Sequence, residues 1–236
     1  MGEAKTATTV DWREEFWDFS APGGPASGWD NRIYLDCANQ GPFPRQAIRA
    51  VEEALALKKY PERITNQLYF DLPRQTRALL AQLIGARLGE MALTTGASDG
   101  INAVARGLRW NEGDEIILPL NEFPANYYPW KHLERRGVRV REVQPGDGRF
   151  VTADDLLAAA RERTRLVAAS FVGYGDGNKI DIARLAAGCR ARGILTAVDA
   201  SQAVGALAFD VHELGCDFLV SCGYKWLLSP YGTGFF

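Results

Sequence analysis

An alternation of short apolar runs with amphipathic segments restricts the fold of this 236-residue chain more than any other feature. Apolar runs with few polar positions are typical of strands that are covered on both faces. The segments between them repeat apolar residues at helical spacing. Strands that alternate with helices predict a doubly wound α/β fold, with a mostly parallel sheet and helices on both faces. The predicted strands are Met91–Thr94, Glu115–Pro119, Val138–Val143, Leu166–Phe171, Leu195–Asp199 and Phe218–Ser221.

Helices are predicted between these strands, and two more precede the first strand. Gly85 follows the second of those two at the position of a C-terminal cap. Ligands of a doubly wound sheet bind at the carboxyl ends of its strands, so the residues that follow the strands are the first candidates for a site. The predicted helices are Pro44–Lys59, Leu72–Ile84, Asp99–Leu108, Pro124–Arg136, Ala153–Arg161, Ile182–Arg192 and a short one at Val211–Leu214.

The first 32 residues show neither of these periodicities. Aromatic residues between positions 12 and 19 are followed by Pro22-Gly23-Gly24-Pro25. We interpret residues 1–32 as an arm that packs on another surface, and residues 33–236 as one large domain. That domain opens with a short predicted strand at Ile33–Asp36 and a turn at Asn39–Pro42.

Composition argues against several kinds of partner. The net charge is −2, with both signs interspersed, which favours neither nucleic acid nor an anionic membrane. The four cysteines form no CxxC pair, and the two histidines have no metal-ligand spacing. We therefore predict free thiols, no metal site and a cytoplasmic location.

Two polar residues follow apolar runs near the end of the chain. Asp199 closes the predicted strand Leu195–Asp199, and Lys225 lies just after Phe218–Ser221. Both would lie on the same edge of a parallel sheet. A pyridoxal 5'-phosphate site needs such a pair, an amine that forms a Schiff base and an acid that keeps the pyridine nitrogen protonated. The alternatives are that Asp199 caps a helix and that Lys225 is a solvated surface lysine.

The segment Thr94–Asn102 joins a strand to a helix at the same predicted edge. Its small residues let a ligand approach the backbone, and a helix N-terminus offers unpaired N–H groups with the positive end of a dipole. A phosphate site is one interpretation. A tight turn in which Ser98 or Asp99 caps the helix is the other.

Loops rich in aromatic residues or glycine follow two further strands. Phe123, next to the end of its strand, is predicted to stack on an aromatic ligand ring. We interpret the aromatic residues at 127–130 as core or interface. The loop at 173–178 lacks the last glycine and the helix of a dinucleotide fingerprint. We therefore interpret it as a loop near substrate, with Ser170 and Tyr174 facing the site.

Together these segments resemble the class V aminotransferase family of fold type I pyridoxal phosphate enzymes, which includes cysteine desulfurases, selenocysteine lyases, isopenicillin N epimerases and kynureninases. The resemblance runs from about residue 33 to the end. It implies a pyridoxal phosphate-dependent aminotransferase or lyase that acts on an amino acid, with active sites at a homodimer interface. The segments that carry it are Tyr34–Pro42, Thr95–Asn102, Glu122–Asn126, Val198–Ala203, Gly223–Leu227 and Gly232–Gly234.

The resemblance also implies roles for the residues around the cofactor ring. Lys225 would form the Schiff base and then move the substrate proton. Asp199 would pair with the pyridinium nitrogen, and Gln202 would bond to the phenolic oxygen. Phe123 would cover the ring.

The same resemblance implies which residues bind the phosphate and the substrate. Ala97 would use its backbone, and Ser98 its backbone and hydroxyl, to bind the phosphate. Cys222 and Tyr224 stand where relatives place other phosphate-binding side chains, so Tyr224 would reach the phosphate through its hydroxyl. Two residues are expected near the substrate, Asn39 and Tyr174.

This chain departs from the family pattern in two ways. Phe123 stands where desulfurases carry a histidine over the ring, which argues against a desulfurase that uses this histidine as acid or base. Family members also continue past Gly232–Gly234 into a C-terminal domain that binds the substrate carboxylate. We interpret this chain as lacking that small domain; the alternative is a true C-terminus docked as a buried strand.

Two further functional interpretations remain open at this point. The chain could be a catalytically silent fragment that binds pyridoxal phosphate. It could also be an α/β scaffold that binds a partner through its aromatic N-terminal arm.

Overall fold

The computed structural model describes residues 15–16, 34–146 and 148–236. Within them the chain forms one sheet of seven strands, together with seven α-helices. The predicted arm, 1–32, lies outside the described residues apart from 15–16. The strands are Leu93–Thr94 (β1), Glu115–Pro119 (β2), Arg139–Val143 (β3), Thr164–Ser170 (β4), Leu195–Asp199 (β5), Phe218–Cys222 (β6) and Gly234–Phe235 (β7). The helices are Arg45–Lys58 (α1), Asn66–Ile84 (α2), Ala97–Gly107 (α3), Tyr128–His132 (α4), Ala153–Ala159 (α5), Ile182–Arg190 (α6) and Val211–Leu214 (α7).

The sheet is mostly parallel, as the sequence predicts. Its strand order is β1-β7-β6-β5-β4-β2-β3. The neighbouring pairs among β2 to β6 are parallel, whereas β7 runs antiparallel to both β1 and β6. The strands predicted from periodicity do not include β7, because two residues beside a glycine-rich turn are too few to show a periodicity. A buried strand in this part of the sequence is only the alternative interpretation. Phe235 is nevertheless buried in β7, with 1% of its surface exposed.

Helices cover both faces of the sheet, which confirms the doubly wound arrangement. Along β2, Ile116 and Leu118 pack in one core with residues of α3 and α4. Ile117, between them, packs in the other core with residues of α5 and α6. All three side chains are fully buried. Two-sided cover is therefore the physical reason for the continuous apolar runs in the sequence.

The predicted strand Ile33–Asp36 is wrong in its described part. Residues 34–36 are irregular and lead into a turn. The N–H groups of Asn39 and Gln40 donate to the Asp36 carbonyl at 3.0 and 3.1 Å. The Tyr34 hydroxyl donates to the Gln40 carbonyl at 2.7 Å. The segment therefore satisfies its backbone locally instead of pairing with the sheet.

The predicted helix Pro124–Arg136 is broken into three short pieces. A 3₁₀ turn at Pro124–Asn126 precedes α4, and a second 3₁₀ turn follows it at Leu133–Arg136. Proline has no backbone donor, so it suits a first helical turn, whereas in a helix interior it removes one hydrogen bond. Pro124 and Pro129 each occupy such a position, so each one starts a new piece.

Helix α2 begins earlier than predicted, at Asn66 rather than at Leu72. The Thr65 hydroxyl caps it by accepting a hydrogen bond from the Leu68 N–H at 3.1 Å. Gly85 ends the helix in the left-handed conformation, with φ of 74°, at the predicted C-cap position. Such a conformation favours glycine, which has no Cβ.

Replacing Leu166 with alanine tests the core that positions the strand ends. Leu166 in β4 is fully buried, so the change leaves a cavity and should lower the free energy of unfolding by about 2–5 kcal/mol. The matched control is Leu79→Ala on α2, where the side chain is 68% exposed. It should change stability by less than about 0.5 kcal/mol. Urea denaturation measures both, and equal losses would contradict a packed core around β4.

Candidate active site

A cavity of about 200 Å³ opens at the carboxyl ends of β4, β5 and β6. The two residues that most strongly suggested a site, Asp199 and Lys225, both lie in its wall. Among the eleven residues predicted for the site, only Asn39 is not part of this wall. The other ten line the cavity: Ala97, Ser98, Phe123, Ser170, Tyr174, Asp199, Gln202, Cys222, Tyr224 and Lys225.

The Lys225 side chain is buried, with 7% of the residue exposed. Its Nζ lies 5.2 Å from the centre of the Phe123 ring and 5.9 Å from the centre of the Tyr224 ring. In the described part of the chain this Nζ has no hydrogen-bond or salt-bridge partner. Lys225 is therefore a buried lysine whose side chain lines the cavity, and not a solvated surface lysine.

Asp199 ends β5 and is 4% exposed. Its Oδ1 accepts a hydrogen bond from the Ser201 N–H at 2.9 Å, whereas its Oδ2 has no hydrogen-bond partner among the described residues. Burial raises the pKa of Asp199, and the contacts with Ser201 and the charge of Lys225 partly offset that rise. A buried carboxyl group with one oxygen uncommitted can hold a proton-bearing nitrogen of a ligand.

The N-terminus of α3 forms another wall of the cavity. The N–H groups of Asp99 and Gly100 donate to the Gly96 carbonyl at 3.2 and 3.3 Å. Ala97 and Ser98 carry N–H groups that a helix leaves without an intrahelical acceptor at its start. Because the positive end of the helix dipole lies there as well, this wall suits an anionic group such as a phosphate.

The Gln202 amide joins two segments of the site. Its Nε2 donates to the Ala38 carbonyl at 2.8 Å, and its Oε1 accepts from the Trp226 indole N–H at 2.8 Å. A primary amide nitrogen carries two N–H groups, so one remains for a ligand in the cavity. The bonds with Ala38 and Trp226 fix the orientation of the Gln202 amide. The contact of Gln202 with a phenolic oxygen of the cofactor stays a prediction.

Cys222 and Tyr224 line the cavity from the end of β6. The Cys222 N–H donates to the Ser201 hydroxyl at 3.1 Å, and burial raises the pKa of its thiol. The Tyr224 ring stacks on Tyr231, with ring centres 4.5 Å apart. Burial raises the pKa of Tyr224 to about 12. Both side chains are therefore neutral at ordinary pH, and the phenol keeps its proton for donation.

Phe123 and Tyr174 close the cavity on its outer side. Their ring centres are 5.0 Å apart in an edge-to-face contact, and Tyr174 is 51% exposed. Asn39 lies in the exposed turn whose Ala38 carbonyl bonds to Gln202. The structure thus brings Asn39 near the site but not into its wall.

Sequence reasoning gave no role to Glu122 or Ser201, although Ser201 lines the cavity and Glu122 contacts a residue that does. Ser201 bonds to Asp199 and to the Cys222 backbone. Glu122 bonds to Ser170 at the end of β4. Glu122 precedes Phe123 and Ser201 precedes Gln202 in the sequence. This adjacency to predicted site residues is the local signal that could have pointed to them.

Comparison with known proteins identifies the family. The family model described as class V aminotransferase matches residues 33–236. The chain is 35% identical over 211 residues to a probable cysteine desulfurase of Methanothermobacter thermautotrophicus, covering 87% of this chain and 52% of that protein. It is also 35% identical over 209 residues to the isopenicillin N epimerase of Streptomyces clavuligerus, covering 86% and 52%.

A solved structure shows the same fold. The cystine C-S lyase C-DES, in complex with its reaction product cysteine persulfide, superposes with a TM-score of 0.78 at 27% identity. The match covers 87% of this chain and 56% of that structure. The fold is thus that of the large domain of a fold type I pyridoxal phosphate enzyme. The chain belongs to the class V aminotransferase family and spans about half the length of the curated relatives that it matches.

Among the described residues, no helix is both long enough and apolar enough to cross a membrane. No group of three or more histidine, cysteine, aspartate or glutamate side chains is placed to bind a metal ion in the described ranges.

Tyr224→Phe tests the electrostatic environment of the cavity wall. Because the pKa of Tyr224 rises from 10.0 to about 12 on folding, the folded state keeps a proton that the unfolded chain releases first. This contribution to stability is fully present below pH 10 and is lost as the pH rises through about 12. Urea denaturation should show that wild type loses stability more steeply than Tyr224→Phe across this window.

The matched control for that experiment is Tyr128→Phe, at a residue that is 65% exposed. Its stability should follow wild type across the same pH range. Parallel curves for wild type and Tyr224→Phe would contradict a buried phenol in the cavity wall.

Proposed function

We propose that residues 33–236 form the pyridoxal phosphate-binding large domain of an enzyme that acts on an amino acid through Lys225. The observation that carries this proposal is the buried, unpartnered Lys225 amine, which shares one cavity with the buried Asp199 carboxyl group. The family to which the chain belongs depends on pyridoxal phosphate. Relatives from that family include a probable cysteine desulfurase and an isopenicillin N epimerase.

The residues present fit pyridoxal phosphate at each of its functional groups. Lys225 offers a buried nucleophilic amine for the aldehyde, and Asp199 an acidic oxygen for the pyridine nitrogen. The N–H groups of Ala97 and Ser98 would hold the phosphate, with the Tyr224 phenol as a further donor. When bound, the cofactor supplies an electrophilic carbon and a ring that accepts electrons from the substrate Cα.

Three side chains of the cavity would contact the cofactor ring. Asp199 would hold a proton on the ring nitrogen, since its second oxygen has no other partner among the described residues. Gln202 would donate its free N–H to the phenolic oxygen, in an orientation fixed by Ala38 and Trp226. Phe123 would cover the ring and keep water from that face.

Lys225 is the group best placed to move the substrate proton. Phe123 carries no exchangeable proton, so the ring-covering position supplies no acid or base. The Tyr174 hydroxyl is the other proton carrier on the outer side of the cavity. This favours chemistry that begins when the lysine amine removes the proton from the substrate Cα, as in transamination or in lysis that eliminates a group from Cβ. It disfavours a desulfurase that relies on a ring-covering histidine.

We also propose that the protein acts as a homodimer in the cytoplasm. The family resemblance supports the dimer, and the four free cysteines suit a reducing compartment. Size-exclusion chromatography with light scattering tests the dimer, and a dominant monomer would contradict it.

Lys225→Ala should remove the covalent attachment of added pyridoxal phosphate. Titration of wild type should produce a visible absorbance band that borohydride reduces, because the buried amine reacts with the aldehyde. The variant should give no reducible band at its site. The matched control is Lys58→Ala, at an exposed lysine that ends α1, and it should titrate like wild type. A full reducible band in Lys225→Ala would contradict the assignment.

A turnover screen separates an active enzyme from a silent cofactor-binding fragment. Amino acids are incubated with the loaded chain, and keto acid, alanine and sulfide are assayed. Product that depends on Lys225 would support the enzyme. Cofactor binding without any product would favour the silent fragment.

A further inference from the structure

Glu122 is a half-buried carboxylate beside the cavity that the proposed chemistry leaves without a role. It follows β2, and its two oxygens accept three hydrogen bonds. The Phe123 N–H donates to Oε1 at 2.8 Å, and the Ser170 N–H donates to Oε2 at 2.7 Å. The Ser170 hydroxyl donates to Oε1 at 2.5 Å. One side chain therefore joins the end of β2 to the end of β4.

The two residues that Glu122 holds are both next to the reactive groups. Ser170 is the partner of Asp199 in the pairing of β4 with β5. The Phe123 ring lies 5.2 Å from the Lys225 Nζ. The Phe123 backbone is fixed on both sides, since its N–H bonds to Glu122 and its carbonyl accepts from the Asn126 N–H at 2.8 Å. Glu122 therefore helps to fix the Phe123 backbone, from which the ring projects.

The surroundings of Glu122 have opposing effects on its pKa. Burial raises the pKa of Glu122, and so does the nearby charge of Asp199, whereas the bonds from Ser170 and Phe123 lower it. Arg149 and Asp176 line a neighbouring cavity together with Glu122, yet neither forms a hydrogen bond or salt bridge with Glu122 in the described part of the chain. The three N–H and O–H donors are thus what holds this carboxylate in place.

We propose that Glu122 is a positioning residue for the cofactor, which holds the Phe123 ring over the Lys225 amine by clamping the ends of β2 and β4. The inference rests on the proposed function, because it assigns Glu122 a part in the same site. Glu122 itself does not line the cavity of about 200 Å³, so it acts through Phe123 and Ser170.

Glu122→Gln is the direct test. The amide keeps the size of the side chain but has one acceptor oxygen instead of two, so at least one of the three bonds is lost. We expect the affinity for pyridoxal phosphate to fall by about tenfold, in keeping with the loss of a bond to a charged group. The visible circular dichroism per bound cofactor should change as well, because it reports how the ring is held. A loss of global stability alone would not alter that signal at saturation.

The matched control is Glu142→Gln on β3, where an exposed carboxylate accepts a hydrogen bond from the Tyr127 hydroxyl at 3.0 Å. It should bind the cofactor with wild-type affinity and wild-type circular dichroism. A Glu122→Gln chain that matches wild type in both measurements would overturn the inference.

Ser170→Ala provides a second test should Glu122→Gln fail to fold. It removes the hydroxyl donor and leaves the backbone bond to Glu122, so we expect a smaller loss of affinity, about threefold, with a circular dichroism change. Wild-type behaviour of this variant would overturn the inference. Absence of any cofactor band in the wild-type chain would instead overturn the proposed function, and this inference with it.

Discussion

The burial of an amine and a carboxyl group at the same edge of the sheet is the constraint on which the rest of the site depends. Burial of a charged amine or carboxylate is costly unless partners replace the lost hydration. Lys225 has no polar partner among the described residues, and Asp199 has one for only one of its oxygens. The fold holds these groups in place because β5 and β6 are flanked by apolar layers on both faces.

Two glycines allow the segments around Lys225 and Asp199 to pack closely together. Gly100 lets α3 pack against β6, since a Cβ there would lie 2.8 Å from the Val220 Cγ1. Gly41 lets the turn at residues 37–41 approach the Lys225 backbone, where its N–H donates to the Tyr224 carbonyl at 2.9 Å. A Cβ at Gly41 would collide with the Lys225 carbonyl oxygen. Small residues at these two points therefore fix the distances between the walls.

The sequence predicts the sheet, and it places Asp199 and Lys225 on one edge, because both follow apolar runs that end where the strands end. It cannot predict contacts between segments that are far apart in the chain. Gln202 bonds to Ala38 across 164 positions, and Glu122 to Ser170 across 48. Local pattern also fails where proline interrupts a helix, as it does between Pro124 and Arg136.

Borohydride reduction of the chain with bound pyridoxal phosphate, followed by peptide mapping, tests most directly whether the buried amine is the reactive one. We predict a single label on Lys225, because its Nζ is the amine that shares a cavity with Asp199 and the N-terminus of α3. A label spread over exposed lysines such as Lys58 and Lys179, or no label at all, would contradict a pyridoxal phosphate site at this edge of the sheet.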